Sequence, residues 1–312
     1  MKTFLGIEIG GTKLQIVLGD ESGNIHERFC FSVLASEGAK GIRQQIESTL
    51  EKLFPKTKPA AVGVGFGGPV DGKIGKIYCS HHIEGWSDFP IADWLHSITN
   101  IPVFVDNDAN VAALGEAIHG AGKNFDPVFY VTLGSGVGGG LVVDRKIYHG
   151  AKPGEAEFGH LRLDKSGRIL ESSCSGWAVD RKIREAIESG KPTVLSNLAG
   201  EQRSGEAKFL RVALEKYDPL AREILNETAE DLAFGLSHVA HLFHPDIIIL
   251  GGGLSLVGEP LRSAVENFLP NFLMAAFAPG PKIALAKLGE DAVTIGALEL
   301  ARVRFEDSGG RV

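Results

Sequence analysis

Short apolar runs separated by glycine-rich turns predict the strands of this chain. The run 4–9 is apolar except at Glu8, and similar runs recur along the whole sequence. Runs of this length, bounded by glycine, proline or asparagine, are typical of strands. The predicted strands are 4–9, 13–19, 27–33, 60–66, 103–105, 127–133, 141–144 and 246–250.

Apolar residues at helical spacing predict helices between these strands. In the segment 41–53, for example, Ile42, Ile46 and Leu50 recur every four residues. Proline marks both ends of the longest helix, which begins after Pro219 and is stopped by Pro245. The predicted helices are 41–53, 91–97, 109–118, 177–188, 205–217, 220–243 and 292–304.

A glycine loop between two strands occurs twice, at positions 10 and 134, an offset of 134 − 10 = 124 residues. Such a turn needs residues that tolerate positive φ, and its bare backbone N–H groups can approach a phosphate closely. Two loops of this kind predict a duplicated domain that holds a polyphosphate from both sides, and therefore a nucleotide-dependent phosphotransferase. The loop residues are Gly10, Gly11, Thr12, Lys13, Gly134, Ser135 and Gly136.

The duplication predicts two domains. Glycines and polar residues at 120–124 separate a helix from a strand, which places the boundary there. The final helix is expected to pack back onto the first domain. The expected division is therefore 1–119 plus 292–305 for the first domain and 120–291 for the second.

Composition narrows the class of protein. A net charge of −7 argues against a nucleic-acid groove, and three scattered cysteines are typical of reduced thiols in a cytoplasmic protein. The chain begins directly with a predicted strand rather than a leader, and no apolar stretch approaches the ~18 residues of a membrane helix. We therefore expect a cytoplasmic protein without nucleic-acid or membrane partners.

Glu8, at the end of the first strand, is a candidate for orienting Mg²⁺. Mg²⁺ in phosphate sites keeps several waters, so the carboxylate would act through water. The alternative is a solvated strand end, but Glu8 interrupts an otherwise apolar strand. Thr12 and Ser135 offer hydroxyls to the phosphates, and Lys13 offers a positive charge.

Asp108 is the candidate general base. It lies between a predicted buried strand and a helix N-terminus, where backbone N–H groups and the helix dipole favour an ionised carboxylate. Such a carboxylate can accept the proton of an attacking hydroxyl. Asp106, Asn107 and Asp108 are also all good N-cap residues, so one of the three is expected to cap the helix.

Taken together, the motifs resemble the ROK-type sugar kinases, within the actin-like, ribonuclease-H-like ATPase superfamily. The resemblance covers about residues 4–302. It implies two ribonuclease-H-like domains with a cleft between them, ATP and Mg²⁺ as cofactors, and a homodimer. The motifs that support it are 6–13, 65–71, 107–113, 133–140, 154–160 and 249–253.

The resemblance also implies residue roles. Asp108 would be the catalytic base on the sugar hydroxyl. The residues implied to bind or line the sugar are Gly68, Pro69, Asn107, Asp108, Glu157, His160 and Glu171. Gly252 and Gly253 would lie against the adenosine.

Two positions depart from the family pattern. Glu8 stands where the family usually has aspartate, so the Mg²⁺ geometry is expected to shift by one methylene. Many members also have a cysteine motif that binds a structural zinc after the Gly-His pair, whereas 163–171 has no cysteine here. Cys174 alone cannot supply a tetrahedral site, so we expect no structural zinc.

The sequence thus predicts an ATP-dependent hexose kinase that phosphorylates the 6-hydroxyl of glucose. The stretch 85–91 resembles the glucokinases of the family and favours glucose over fructose or N-acetylmannosamine. The alternatives are a kinase for another hexose and a non-catalytic sugar sensor or regulator. Family repressors place a helix-turn-helix domain before the first loop, and Gly10 is close to the start of this sequence.

Overall fold

The computed structural model describes residues 2–80, 83–151, 156–202 and 204–309. Its strands form two five-stranded sheets and one two-stranded sheet over these residues. The strands are β1 Thr3–Ile9, β2 Lys13–Asp20, β3 Ile25–Ser32, β4 Val62–Phe66, β5 Val70–Asp71, β6 Lys76–Ile77, β7 Val103–Asn107, β8 Val128–Leu133, β9 Val137–Val143, β10 Lys146–Ile147, β11 Ile247–Gly251 and β12 Lys282–Leu285.

Helices connect β3 to β4, β6 to β7, β7 to β8, β10 to β11 and β11 to β12, and a further helix follows β12. The α-helices are α1 Gly38–Leu53, α2 Ile91–Thr99, α3 Asp108–Ile118, α4 Glu171–Cys174, α5 Gly176–Glu188, α6 Leu195–Ala199, α7 Leu210–Glu215, α8 Pro219–Phe243, α9 Glu259–Phe268 and α10 Ala292–Asp307. Shorter 3₁₀ turns are Ala35–Glu37, Phe158–His160, Glu206–Phe209, Gly253–Val257, Leu269–Phe272, Ala275–Phe277 and Gly289–Asp291. No helix of the described residues is both long enough and apolar enough to cross a membrane.

The two large sheets have the same plan. The first has the order β3-β2-β1-β4-β7 and the second has the order β10-β9-β8-β11-β12. In the first, β1 pairs antiparallel with β2 and parallel with β4, and β4 pairs parallel with β7. In the second, β11 pairs parallel with both β8 and β12. The duplication predicted from the glycine loops is therefore present in the sheets themselves.

Both faces of the first sheet are covered. Side chains alternate along β1, so that Leu5, Ile7 and Ile9 join the core with α1 while Phe4 packs with Leu298 of α10. Gly6 permits the close approach of α10, because a Cβ there would lie 2.9 Å from the Thr294 carbonyl oxygen. The central strand β1 is therefore covered on both faces, and its polar residue Glu8 lies near its carboxyl end.

The chain divides into two compact units. The first comprises Met1–Lys123, Gly140–Glu155 and Glu290–Val312, and the second comprises Asn124–Gly139 and Ala156–Gly289. The expected division placed 140–155, and also 120–123 and 290–291, in the second domain, whereas these residues cluster with the first unit. The physical reason is contact with the first unit: Gly140 packs on α3, and Lys146 forms an ion pair with Asp307 of α10.

Several elements differ from the sequence-based prediction, among them β12, α9 and the helix expected at 205–217. β12 and α9 were not predicted; β12 is only four residues long and mostly half-buried, so its alternation is too short to detect. The helix expected at 205–217 is a 3₁₀ turn followed by the short α7.

Candidate functional site

The first glycine loop, the Gly67-Gly68-Pro69 loop and the start of α3 meet at one edge of the first sheet. They follow β1, β4 and β7, which are neighbouring parallel strands whose carboxyl ends lie at the same edge. The Gly67 N–H donates to the Ile9 carbonyl at 2.9 Å. A Cβ on Gly67 would lie 3.4 Å from Asp108 Oδ2 and 3.6 Å from the Gly10 Cα. The predicted phosphate loop and the predicted base are therefore close neighbours.

Asn107 is the N-cap of α3, which decides among the three candidate caps. Its Oδ1 accepts from the backbone N–H of Ala109 at 2.9 Å and of Asn110 at 3.4 Å. Its Nδ2 donates to the Gly68 carbonyl at 3.2 Å. Asn107, the last residue of β7, thus caps α3 and also bonds the Gly67-Gly68-Pro69 loop.

Asp108 is the first residue of α3, one position earlier than the sequence predicted, and it is half-buried. Its Oδ1 accepts from the Ala109 N–H at 2.9 Å. Its carboxylate therefore lies within the field of the helix N-terminus, which stabilises negative charge. Oδ2 lies on the side of Gly67, towards the first glycine loop.

The first glycine loop is a tight hairpin closed by a hydrogen bond from the Gly10 N–H to the Lys13 carbonyl, 2.9 Å long. Thr12 is exposed at its tip, and Gly11 beside it is half-buried. The loop therefore presents backbone and a hydroxyl to its surroundings, as a phosphate-binding turn requires.

Glu8 lies just before this loop and is held by two neighbours. Its Oε1 is 3.5 Å from Lys13 Nζ, and its Oε2 accepts from Gln15 Nε2 at 2.8 Å. Burial raises the pKa of the Glu8 carboxyl, and Lys13 and Gln15 oppose that rise. A largely buried carboxylate beside a phosphate loop fits a water-mediated Mg²⁺ contact, since Mg²⁺ in such sites takes one or two carboxylates together with phosphate oxygens.

Glu171 fixes the second glycine loop. Its Oε2 accepts from the Val137 N–H at 2.9 Å, directly after Gly136. A Cβ on Gly136 would overlap that carboxylate oxygen, so only glycine leaves room for it. The family resemblance implies a sugar contact for Glu171, which stays a prediction; the structure adds a contact between its Oε2 and the second glycine loop.

The same loop is also supported from below by α5. The Gly176 N–H donates to the Gly134 carbonyl at 2.7 Å, and the Gly134 N–H donates to the Gly136 carbonyl at 2.9 Å. Ser135 lies exposed at the tip. The two loops therefore share a closed backbone and an exposed hydroxyl.

Glu157 and His160 flank a turn that packs on the strand after the second loop. Both side chains are exposed, while Phe158 and Gly159 between them are buried. A Cβ on Gly159 would overlap the Val137 carbonyl oxygen. The sugar-binding candidates of this unit and its glycine loop therefore share Val137 as a common support. The first two residues of this motif, Gly154 and Glu155, lie outside the described residues.

Residues 161–170 form a small hairpin between His160 and Glu171. The Leu163 N–H donates to the Arg168 carbonyl at 2.8 Å, and the Leu170 N–H donates to the Leu161 carbonyl at 2.9 Å. The Arg168 side chain bonds Asp164 at 3.2 Å and Asp231 of α8 at 2.8 Å. The hairpin is thus held by hydrogen bonds and an ion pair, in the segment where many relatives were expected to have a zinc motif.

Cys174 lies buried beneath this hairpin. Its Sγ donates to the Thr228 carbonyl at 3.5 Å, and burial raises the pKa of the thiol to about 12. A thiol with such a pKa stays neutral, whereas zinc binds the thiolate. Over the described ranges no cluster of three or more His, Cys, Asp or Glu could hold a metal ion. The absence of structural zinc remains a prediction.

Gly252 and Gly253 follow β11, the strand next to β8. Gly252 has φ +77°, and a Cβ there would lie 2.6 Å from the Leu133 backbone nitrogen, directly before the second glycine loop. Gly253 is exposed, with no atom within 4 Å of a Cβ placed on it. Gly252 is therefore required by the backbone, while Gly253 is open to a ligand.

Trp86 supports the Gly68-Pro69 loop from the core. It is 1% exposed, and its ring lies 5.5 Å from that of Phe66, edge to face. A Cβ on Gly68 would lie 3.0 Å from the Phe66 ring. The stretch 85–91, which favoured glucose in the sequence, therefore acts on this loop through Phe66.

A model of the ROK family matches residues 4–304. The chain belongs to the ROK family. It is 30% identical over 309 residues to the glucokinase of Thermotoga maritima, covering 96% of this chain and 98% of that protein. It is also 24% identical over 312 residues to the xylose repressor of Caldicellulosiruptor bescii, covering 96% of this chain and 77% of that protein.

A crystal structure of a ROK glucokinase from Streptomyces griseus, in complex with glucose and AMPPNP, is similar throughout. The TM-score is 0.83 at 32% sequence identity, covering 96% of this chain and 99% of that one. The predicted α/β fold of two ribonuclease-H-like, actin-like ATPase domains is thereby confirmed, as is the family resemblance. The relatives of this chain thus include kinases as well as a repressor.

Sequence reasoning missed two side-chain pairs that the structure places beside candidate site residues. The Arg168 side chain donates to Asp231, 63 residues away in the sequence. The His149 side chain contacts Asp106, 43 residues away. Pairs so distant leave no spacing signal in a single sequence. Of these four residues only Asp106 was named from the sequence, as one of three polar residues at the start of α3.

Proposed function

We propose that this protein is an ATP-dependent hexose kinase that phosphorylates the 6-hydroxyl of glucose, with Asp108 as general base. The observation that supports this best is the position of Gly67, in contact range of both Asp108 Oδ2 and the first glycine loop. A phosphotransferase needs a base and a phosphate cradle close together, because the acceptor oxygen must face the transferred phosphoryl group. The similarity to glucokinases agrees with this chemistry.

Asp108 would accept the proton of the acceptor hydroxyl. The helix N-terminus keeps its carboxylate ionised, and the hydrogen bond from the Ala109 N–H holds Oδ1. Oδ2 on the side of Gly67 is then the oxygen that faces the acceptor. A base orientated in this way contributes about 10²–10⁴-fold to rate.

Each unit contains groups that are candidates for binding the acceptor. In the first unit these are Asn107 and the Gly68-Pro69 loop. In the second they are Glu157 and His160, whose exposed side chains lie on either side of a buried turn. An amide or a carboxylate can make paired hydrogen bonds to vicinal hydroxyls, and an imidazole can bond one hydroxyl.

The donor would be ATP. The first loop would contact its phosphates through Gly10, Gly11, Thr12 and Lys13, and the second through Gly134, Ser135 and Gly136, with Gly252 and Gly253 beside the adenosine. Mg²⁺, when bound, would neutralise phosphate charge, and Glu8 would hold it through water. Lys13 would then exchange its contact with Glu8 for one with phosphate.

The test is ADP release with Mg-ATP and a panel of sugars: glucose, fructose, mannose, glucosamine, N-acetylglucosamine, N-acetylmannosamine and allose. Glucose should be turned over selectively. Selective turnover of another sugar would keep the kinase and refute the glucose assignment. No turnover, from folded protein that still binds glucose, would favour the sugar-responsive regulator that the repressor relative suggests.

Asp108→Asn tests the base, with Asp93→Asn as its matched control. Like Asp108, Asp93 is a carboxylate in the first turn of a helix, but it belongs to α2 and is exposed. Asp108→Asn should lower kcat by about 10²–10⁴-fold. Asp93→Asn should leave kcat within about twofold, since exposed surface changes are nearly neutral. Equal kcat values for Asp108→Asn and wild type would refute the assigned base.

A further inference from the structure

His149 contacts the strand-to-helix turn that contains Asp108. Its Nε2 is 2.6 Å from Oδ2 of Asp106, the residue two positions before Asp108. The Asp106 side chain is 4% exposed and that of His149 is 38% exposed. Because an ionised carboxylate only accepts hydrogen bonds, His149 Nε2 is the donor.

The other oxygen of Asp106 holds the turn itself. Oδ1 accepts from the Asn107 N–H at 2.9 Å and from Asn110 Nδ2 at 3.0 Å. One contact fixes the backbone of the N-cap residue and the other fixes the first turn of α3. The orientation of this carboxylate therefore determines where the start of α3 lies, and His149 sets that orientation.

His149 belongs to a hairpin that also packs on α3 through its backbone. The hairpin pairs β9 with β10, at Val143 with Lys146. A Cβ on Gly140, in β9, would lie 2.7 Å from the Ala113 Cβ and 2.9 Å from the Ala109 carbonyl oxygen. Because glycine alone allows this approach, one short segment contacts α3 by backbone and Asp106 by side chain.

Resting on the proposed kinase function, we propose that His149 is a positioning residue for the general base. It acts through Asp106, whose hydrogen bonds fix Asn107 and the first turn of α3, and so it aligns Asp108 with the acceptor hydroxyl. It touches neither substrate in this account. A displacement of a catalytic group by about 1 Å is expected to cost up to about 10²-fold in rate.

The test compares His149→Ala and His149→Gln in the full chain, with Lys146→Ala as control. Lys146 lies on the same hairpin, and its ion pair with Asp307 is exposed. The amide of glutamine can donate from nearly the position of Nε2. We expect kcat with the preferred sugar to fall about tenfold in His149→Ala, to recover to within about threefold in His149→Gln, and to stay within about twofold in Lys146→Ala.

KM separates positioning from a general loss of structure. Misalignment of the base acts on the chemical step, so KM for both substrates should stay within about threefold. In an Asp108→Asn background, measured at raised enzyme concentration, His149→Ala should cost less than about twofold, because two residues that act through one group are not additive.

Three results would overturn the inference. The first is a kcat for His149→Ala that is no lower than that of Lys146→Ala. The second is a loss of kcat in His149→Gln equal to that in His149→Ala. The third is a loss of kcat that correlates across the variants with a lowered melting temperature. If the wild-type chain phosphorylates no sugar of the panel, the proposed function fails and this inference fails with it. If wild type is active and Asp108→Asn is inactive, a silent His149→Ala refutes the positioning role alone.

Discussion

Asn107 offers a quantitative test of the geometry, because its side chain makes two separable contributions. Its Oδ1 caps α3, and its Nδ2 bonds the Gly68 carbonyl at 3.2 Å. Loss of an N-cap costs about 1 kcal/mol, and a net hydrogen bond contributes about 1 kcal/mol. Asn107→Ala should therefore lower the free energy of unfolding of the first unit by about 2 kcal/mol.

Asn107→Ser divides this sum. Serine is a good N-cap but cannot reach Gly68, so about 1 kcal/mol should be lost. Asn226→Ala, at an exposed position inside α8, is the control and should stay within about 0.5 kcal/mol of wild type. Urea unfolding followed by tryptophan fluorescence measures these values, since Trp86 is buried in the first unit.

The reasoning would be refuted by either of two results. If Asn107→Ala unfolds within about 0.5 kcal/mol of wild type, neither contact stabilises the turn. If Asn107→Ser is as unstable as Asn107→Ala, the cap contributes nothing and the bond to Gly68 accounts for the whole effect. A change in the denaturant slope would indicate that the two units no longer unfold as in wild type, and the comparison would then be made by hydrogen exchange in α3.

Three further predictions concern the second unit and pH. Arg168→Ala, which removes the ion pair with Asp231, should raise KM for the sugar about threefold, and this increase should be smaller at high salt. The control Arg211→Ala removes an exposed ion pair within one helix and should leave KM unchanged. Glu171→Ala should raise KM for ATP about tenfold, and Glu171→Gln should retain most of the affinity because its amide oxygen still accepts from the second glycine loop. Burial raises the pKa of the Asp20 carboxyl, but hydrogen bonds led by that from His26 outweigh it and lower the pKa from 3.8 to about 2. Its stabilisation is therefore present above pH 3.8 and is lost as pH falls towards 2. Asp20→Asn should flatten the fall of unfolding free energy in that window, and an unchanged slope would contradict the assignment.

Much of the site could be predicted from residues that are close in sequence. Asp106, Asn107 and Asp108 follow a buried strand directly, so their chemistry and their place at a helix start were both evident. Which of them caps the helix was not evident, because all three have side chains that can accept from the N-terminal N–H groups. The structure assigns the cap to Asn107, because its Oδ1 accepts from the Ala109 and Asn110 N–H groups.

The contact made by Glu171, in contrast, could not be predicted from its neighbours in the sequence. The family resemblance implied a sugar contact, which stays a prediction, and it did not indicate that Oε2 accepts from the Val137 N–H. The hairpin 161–170 sets where Glu171 lies relative to the second glycine loop, and no local spacing encodes that distance.

What the sequence by itself determined was the set of elements and the chemistry at their ends. Apolar periodicity specified most strands and helices, and glycine marked the two loops, because both signals arise from contacts within a few residues. The tertiary structure alone decided which distant residues meet: His149 with Asp106, Arg168 with Asp231, and segment 140–155 with the first unit. Those pairings depend on sheet order and on how closely backbones approach, which are properties of the whole chain rather than of any window within it.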